Sequence, residues 1–192
     1  MDFKHFENAD KFLTLLDNEV VCDCCHQTKK CFEATLNDSV CSECLTTGQL
    51  SKLDTTTCSG DVDELKSQLR DLNPSYSEER LEKIVKSKTN VLEKTTPQLV
   101  TWQDWDWPCA DGDYCKFIGY GSQEFFNRLS KDGNGRALFE SSFYYRIKDV
   151  SDDTLWDNLL PENEIHSDAY NVVFYVFKSL NSDKIITTWD CS

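Results

Sequence analysis

Apolar residues recur along this chain with two different periods, and each period predicts a different kind of element. Phe3, Phe6, Phe12, Leu13 and Leu16 are partly helical in spacing and predict a short helix over 9–17. Val62, Leu65, Leu69 and Leu72 form one stripe of a helix over 61–72, stopped by Asn73-Pro74. Ser75 to Glu78 has capping-box spacing and opens a second helix carrying Leu81, Ile84, Val85, Val91 and Leu92, which Thr95-Thr96-Pro97 ends. Phe125, Phe126 and Leu129 predict a helix over 123–130, with Gly133 as its stop. Period-two runs predict strands: Cys31–Leu36, Phe139–Ile147, and a closing hairpin of 171–180 and 184–189 about Asn181-Ser182-Asp183. Leu155, Trp156, Leu159 and Leu160 predict one short helix inside the acidic connection 149–168.

A polar, Ser/Thr-rich stretch from Ser51 to Gly60 is the best candidate boundary. The expected class is α+β, with a small zinc-ribbon-like N-terminal module packed on a mixed helix and antiparallel-sheet part. The expected divisions are 1–50 for the module, 51–95 for a helical segment, and 96–192 for an aromatic-rich part ending in the hairpin. A length of 192 residues suits one domain, or a small metal-held module joined to a larger one.

Charge narrows the partners. Twenty basic against 34 acidic residues leave a formal net charge of −14. Such a field repels phosphate backbones and anionic membranes and favours a basic protein as partner; the plain alternative is that the acidity only keeps the chain soluble. A nucleic-acid-binding zinc ribbon is therefore the class that the charge disfavours most. The first ten residues lack an uninterrupted apolar region and a small-residue cleavage site, so a reducing cytoplasm is the expected compartment.

In that compartment the 10 cysteines point to metal rather than disulfides. Cys22 and Cys25 form one C-x2-C pair and Cys41 and Cys44 another, with 15 residues between them. Two such pairs supply the four corners of a tetrahedral structural Zn2+ site. Cys24, His26 and Cys31 crowd the same loop and stand as alternative ligands. The plain alternative is a set of buried free thiols, since cysteine behaves as a small hydrophobe. Cys109 and Cys115 flank Asp111 and Asp113 and form a candidate second site, although C-x5-C is not a standard knuckle and core or surface cysteines are the simpler reading.

Trp102, Trp105 and Trp107 alternate with Asp104 and Asp106. In an extended segment Trp105 and Trp107 share one face and the two carboxylates the other. Core packing accounts for at least one Trp; a docking surface for a basic partner is the functional alternative. Asp152, Asp153, Asp157, Glu162, Glu164 and Asp168 run without an intervening Lys or Arg, a solvated face or a second docking patch. Asp132 to Gly135 has the look of a calcium loop, but the required final Glu falls at Ser141, so the geometry fails. None of the three histidines, His5, His26 and His166, sits in a catalytic motif, and no catalytic residue is assigned.

The segment running from Thr96-Pro97 through Trp102-Gln103, Trp105, Cys109 and Asp111 to Phe117-Ile118-Gly119 resembles the signature of the bacterial CbrC family. Phe3 to Phe6, Cys41 to Gly48, Tyr175 to Phe177 and Trp189-Asp190 resemble further blocks of it, in the same order. The family commonly carries another cysteine pair in the closing hairpin, where this chain has Lys178 to Ser182. The resemblance implies a cytoplasmic bacterial protein with cysteine metal sites and a loose link to colicin tolerance, and it implies no catalytic mechanism. The expected function is a non-enzymatic zinc-binding immunity or tolerance factor that neutralises a basic toxin domain. The alternative is a metal-dependent enzyme working at the Cys109–Cys115 site.

Overall fold

A computed structural model describes residues 3–13, 15–33, 38–99, 101, 103–146, 148, 150–161 and 172–191. The elements in chain order are α1 (Ala9–Phe12), β1 (Val20–Val21), β2 (Thr28–Lys29), β3 (Cys31–Glu33), β4 (Ser39–Cys41) and α2 (Ser42–Thr46). A 3-10 turn (Gln49–Lys52) follows, then α3 (Val62–Leu72) and α4 (Glu78–Thr95). The last part holds β5 (Cys109–Ala110), β6 (Asp113–Tyr114), β7 (Lys116–Tyr120), α5 (Gln123–Leu129), α6 (Gly135–Ser142), α7 (Asp152–Asp157), β8 (Val172–Lys178) and β9 (Ile185–Cys191). The fold is α+β, and its sheets are antiparallel. No helix among the described residues is long and apolar enough to cross a membrane.

The sheet β7-β8-β9 is covered on both faces, which is why Val172–Phe177 reads as an unbroken apolar run. Val173, Tyr175 and Phe177 point into the larger core; Phe174 and Val176 point into a smaller one built by Phe126, Phe139 and Leu155 of α5, α6 and α7. The larger core runs continuously from Phe3, through Cys22, Phe32 and Leu45, to Leu65, Leu81, Leu92 and Trp107. A sheet edge left bare invites pairing with another chain. Residues 3–7 cover the β7 edge as a strap: the Glu7 amide donates to the Phe117 carbonyl (2.8 Å) and the Phe117 amide to the His5 carbonyl (2.9 Å).

The polar stretch 51–60 is pinned to the end of α4. The Thr57 hydroxyl donates to the Thr96 carbonyl (2.6 Å), and the Trp107 amide to the Ser59 carbonyl (2.7 Å). Gly60 lies so close to the Tyr114 ring that an added Cβ would meet it at 2.4 Å. Asp61 caps α3 by accepting from the Glu64 amide.

Four expectations change. Phe139–Ile147 is not a strand where described: residues 135–142 form α6, capped by Asn134 accepting from the Ala137 amide (3.1 Å), which buries Phe139 and Ser142. The cap of α4 is Ser77, which accepts from the Arg80 amide, rather than Ser75. The helix over 9–17 stops at Phe12 because the Leu16 amide turns to the Cys31 carbonyl, laying 15–16 beside β3. α5 ends at Ser130 in extended backbone, so Gly133 belongs to the following turn.

His5 is fully buried edge-on to Tyr114, and neither ring nitrogen has a hydrogen-bond partner of good geometry among the described residues. Burial first, and the Lys4 charge next, lower its pKa to about 4, while nearby Asp113 recovers only part of the loss. The folded state therefore holds fewer protons than the unfolded chain between that value and 6.5. Stability from this group is full above pH 6.5 and is lost as pH falls towards 4, by up to about 3 kcal/mol. Urea unfolding of wild type and His5→Phe at pH 7 and pH 4.5 checks this: the gap between the two proteins shifts in favour of the variant at the lower pH. A pH-independent gap rules it out.

Candidate metal centre and aromatic–acidic cleft

Two hairpins bring the knuckle cysteines together. β1 and β2 pair through Val20–Lys29 and Val21–Thr28, and the loop between them is a tight knuckle with His26 at positive φ (58°). The His26 amide donates to the Cys22 carbonyl (2.7 Å) and the Cys22 amide to the Gln27 carbonyl (2.9 Å). β4 then delivers Cys41 to the start of α2, whose first turn carries Cys44. The sulfurs of Cys22, Cys25, Cys41 and Cys44 all lie within 4.8 Å of one another, so a single ion can touch all four.

Electrostatics single out Cys22 within the group. Burial raises the Cys22 thiol, but the amides of Cys41, Cys25 and Cys24, with the Cys25 side chain, outweigh it and bring the pKa down to about 6. The Cys41 amide lies 3.4 Å from that sulfur. Burial raises Cys41 against the opposing Cys44 amide and thiol, and burial with the neighbouring sulfurs raises Cys44, so a metal bound at this cluster would release protons. Cys24 and Cys31 are buried, pushed up to about 11, and outside the four-sulfur group; Cys31 Sγ donates to the Lys29 carbonyl (3.5 Å). His26 is exposed.

The second candidate site does not assemble. Asp111 turns outward, and its Oδ2 accepts from Ser179 (2.7 Å) and Ser182 (2.6 Å). Asp113 is buried between Lys88 (2.7 Å) and Lys4 (3.2 Å). Burial opposes its charge, and the two ammonium groups overcome that and hold its pKa below the usual range. Cys109 faces the Tyr144 hydroxyl (3.4 Å), and Cys115 is enclosed with its thiol driven well up by burial. The β5–β6 turn, with Gly112 at positive φ, points these four side chains to different neighbours. Among the described residues the Cys22–Cys44 group is the sole metal-competent cluster of three or more ligands.

The aromatic segment divides as its alternation predicts. Trp107 is 1 % exposed, donates from Nε1 to the Cys115 carbonyl (2.9 Å), and packs edge-on to Phe177 at 5.1 Å. Trp105 lies beside it at 6.1 Å, also against Phe177, while Asp104 and Asp106 are exposed. Clefts open on both sides: one of about 510 Å3 toward Thr57 and Leu99, and one of about 180 Å3 toward Tyr145, Thr188 and Trp189. Those last three residues carry no sequence signal for a site; Thr188 and Trp189 reach it on β9, which the Gln103 amide meets at Asp190 (3.2 Å), and Tyr145 through the Trp189 indole bonded to its carbonyl. On α7, Asp152 pairs with Arg146 (2.8 Å) and Asp153 with Arg136, so that patch is partly neutralised, and Asp157 is exposed. Trp102, Glu162, Glu164 and Asp168 lie outside the described residues.

Compared with known proteins, residues 1–191 match the model of a family described as Uncharacterised protein family (UPF0167). No curated protein and no solved structure matches the chain.

Proposed function

The chain belongs to the UPF0167 family, and from that premise we propose that it is a non-enzymatic zinc-binding protein whose acidic, aromatic face docks a basic protein. The observation that carries this reading is the pair Asp104 and Asp106. Both are exposed, they flank Trp105, and neither forms an ion pair with a cation of the described residues. Carboxylates left without internal cations are available to an external one, and the net charge of −14 steers a basic partner toward them.

Zinc suits the cysteine cluster. Four thiolates about 2.3 Å from one ion lie about 3.8 Å apart at the corners of a tetrahedron, within the spread of the four sulfurs. Four protein ligands leave no open position for substrate, so the ion serves as a staple for 20–48. The partner's identity draws on the likeness to the CbrC signature: a toxin domain of the colicin type, held by charge and neutralised by occlusion.

Pull-down of purified candidate toxin domains tests the reading. Capture is expected to weaken steeply as salt rises, and Asp104→Asn with Asp106→Asn is expected to weaken it at least tenfold at low salt. Tight capture of a partner without basic character, indifferent to salt, counts against it.

A further inference from the structure

The smaller cleft beside Trp105 is built rather than incidental. One wall is Trp189, held by its Nε1 donating to the Tyr145 carbonyl (3.0 Å), and Tyr145 is held in turn by its hydroxyl donating to Asp61. Asp104 and Asp106 stand at the rim, and no basic side chain lines the cleft among the described residues. Two polar groups of its lining residues are unspent. Thr188 is 6 % exposed and its hydroxyl has no partner among the described residues; the same holds for the buried indole N–H of Trp105. Buried polar groups are normally hydrogen-bonded, and leaving one unmade costs about 1–3 kcal/mol.

These features together specify a ligand. Aromatic walls and carboxylates fit a cation. The Trp105 indole can only donate, so it requires an acceptor that a bare cation does not carry. A peptide offers both, a basic side chain and a backbone carbonyl next to it. The volume of about 180 Å3 admits one side chain and falls below the roughly 300–1,000 Å3 of small-molecule sites. Among basic side chains, the planar guanidinium stacks on aromatic faces and forks onto a carboxylate, which an ammonium does not.

We infer that this cleft receives an arginine side chain of an extended segment of the docked partner, with Asp104 and Asp106 meeting the guanidinium and the Trp105 indole donating to the adjoining peptide carbonyl. The inference rests on the docking function proposed above. Burial first, then the charge of Asp61, raises the Asp106 pKa, and an arriving cation opposes both effects.

The test uses the full chain and N-acetyl-arginine methylamide, followed through the Trp105 indole N–H resonance, assigned by Trp105→Phe. Saturable shifting of that resonance is expected, at least tenfold weaker for the isosteric uncharged citrulline derivative and for Asp104→Asn with Asp106→Asn, and absent for guanidinium ion alone. The resonance ignoring the arginine probe, or responding equally to the citrulline probe, would overturn the inference. An equal response to guanidinium ion overturns the peptide as the source. Neutralising Asp152, Asp153 and Asp157 to Asn separates the two levels: it should reduce capture of a whole partner and leave the arginine probe unaffected. Probe binding without capture of any basic protein leaves the subsite standing and removes the docking function.

Discussion

Stripping the metal with a chelator at neutral pH is expected to unfold residues 20–48 and lower the melting temperature of the whole chain. Structural zinc contributes apparent binding free energy on the order of 10 kcal/mol, comparable with the roughly 5–15 kcal/mol that holds an ordinary domain folded. The strands involved are too short to stand alone: β1 and β2 have two residues each, β3 and β4 three. The loss does not stay local, because Cys22, Phe32, Val40 and Leu45 belong to the same continuous core as Phe3, Leu92 and Trp107. Cys41→Ser should reproduce the effect without chelator, whereas Cys24→Ser, outside the four-sulfur group, should leave metal content at one ion per chain. Circular dichroism during a thermal scan, with metal analysis of the same samples, reads both. An unchanged melting curve after complete metal removal would show that the four thiols are only core residues.

The second large effect belongs to Trp107→Ala, expected to destabilise by about 3–5 kcal/mol in urea unfolding. Its ring is enclosed, packs on Phe177, and ties two parts of the chain through its own backbone. The Trp107 amide reaches Ser59, and its carbonyl accepts from the Asp61 amide (3.1 Å), holding the start of α3 against the sheet. Trp107→Phe should recover part of the packing and leave the Cys115 carbonyl without its indole donor. A cost under about 1 kcal/mol for the alanine variant would mean that the site collapses freely around the lost ring.

What was legible in the sequence followed from strong local patterns. The stripes Leu65–Leu69 and Leu81–Val85–Leu92 gave α3 and α4 their boundaries to within a residue or two, and the paired knuckles gave the cysteine cluster. α6 was hidden because its apolar positions Leu138 and Phe139, with Phe143 just beyond its end, sit among aromatic and Ser residues that read equally well as a strand. Tertiary packing decided it: Phe139 meets Phe126 at 5.0 Å and Phe174 at 5.2 Å, which a helical turn permits. The Cys109–Cys115 proximity in sequence was misleading for a related reason. A two-residue turn separates neighbouring side chains as readily as it gathers them, and Lys4 and Lys88, distant in sequence, claimed Asp113. The cleft walls Tyr145 and Trp189 were out of reach of any local pattern, since the connection 147–171 intervenes between them.

The strap over residues 3–7 sets an order of events during synthesis. Its partner Phe117 leaves the ribosome more than a hundred residues later, and β7 in turn needs β8, whose residues 172–178 come near the end. Chains are made at about 5–20 residues per second, so the strap waits many seconds without its β7 partner. The cysteine cluster needs only residues 20–46 and can close early, holding the nascent front of the chain compact until the sheet arrives. Long-range pairing of this kind is slow to form and prone to misassembly while incomplete. A bulky fusion placed directly before Phe3 would thus burden the final closing step rather than the metal module.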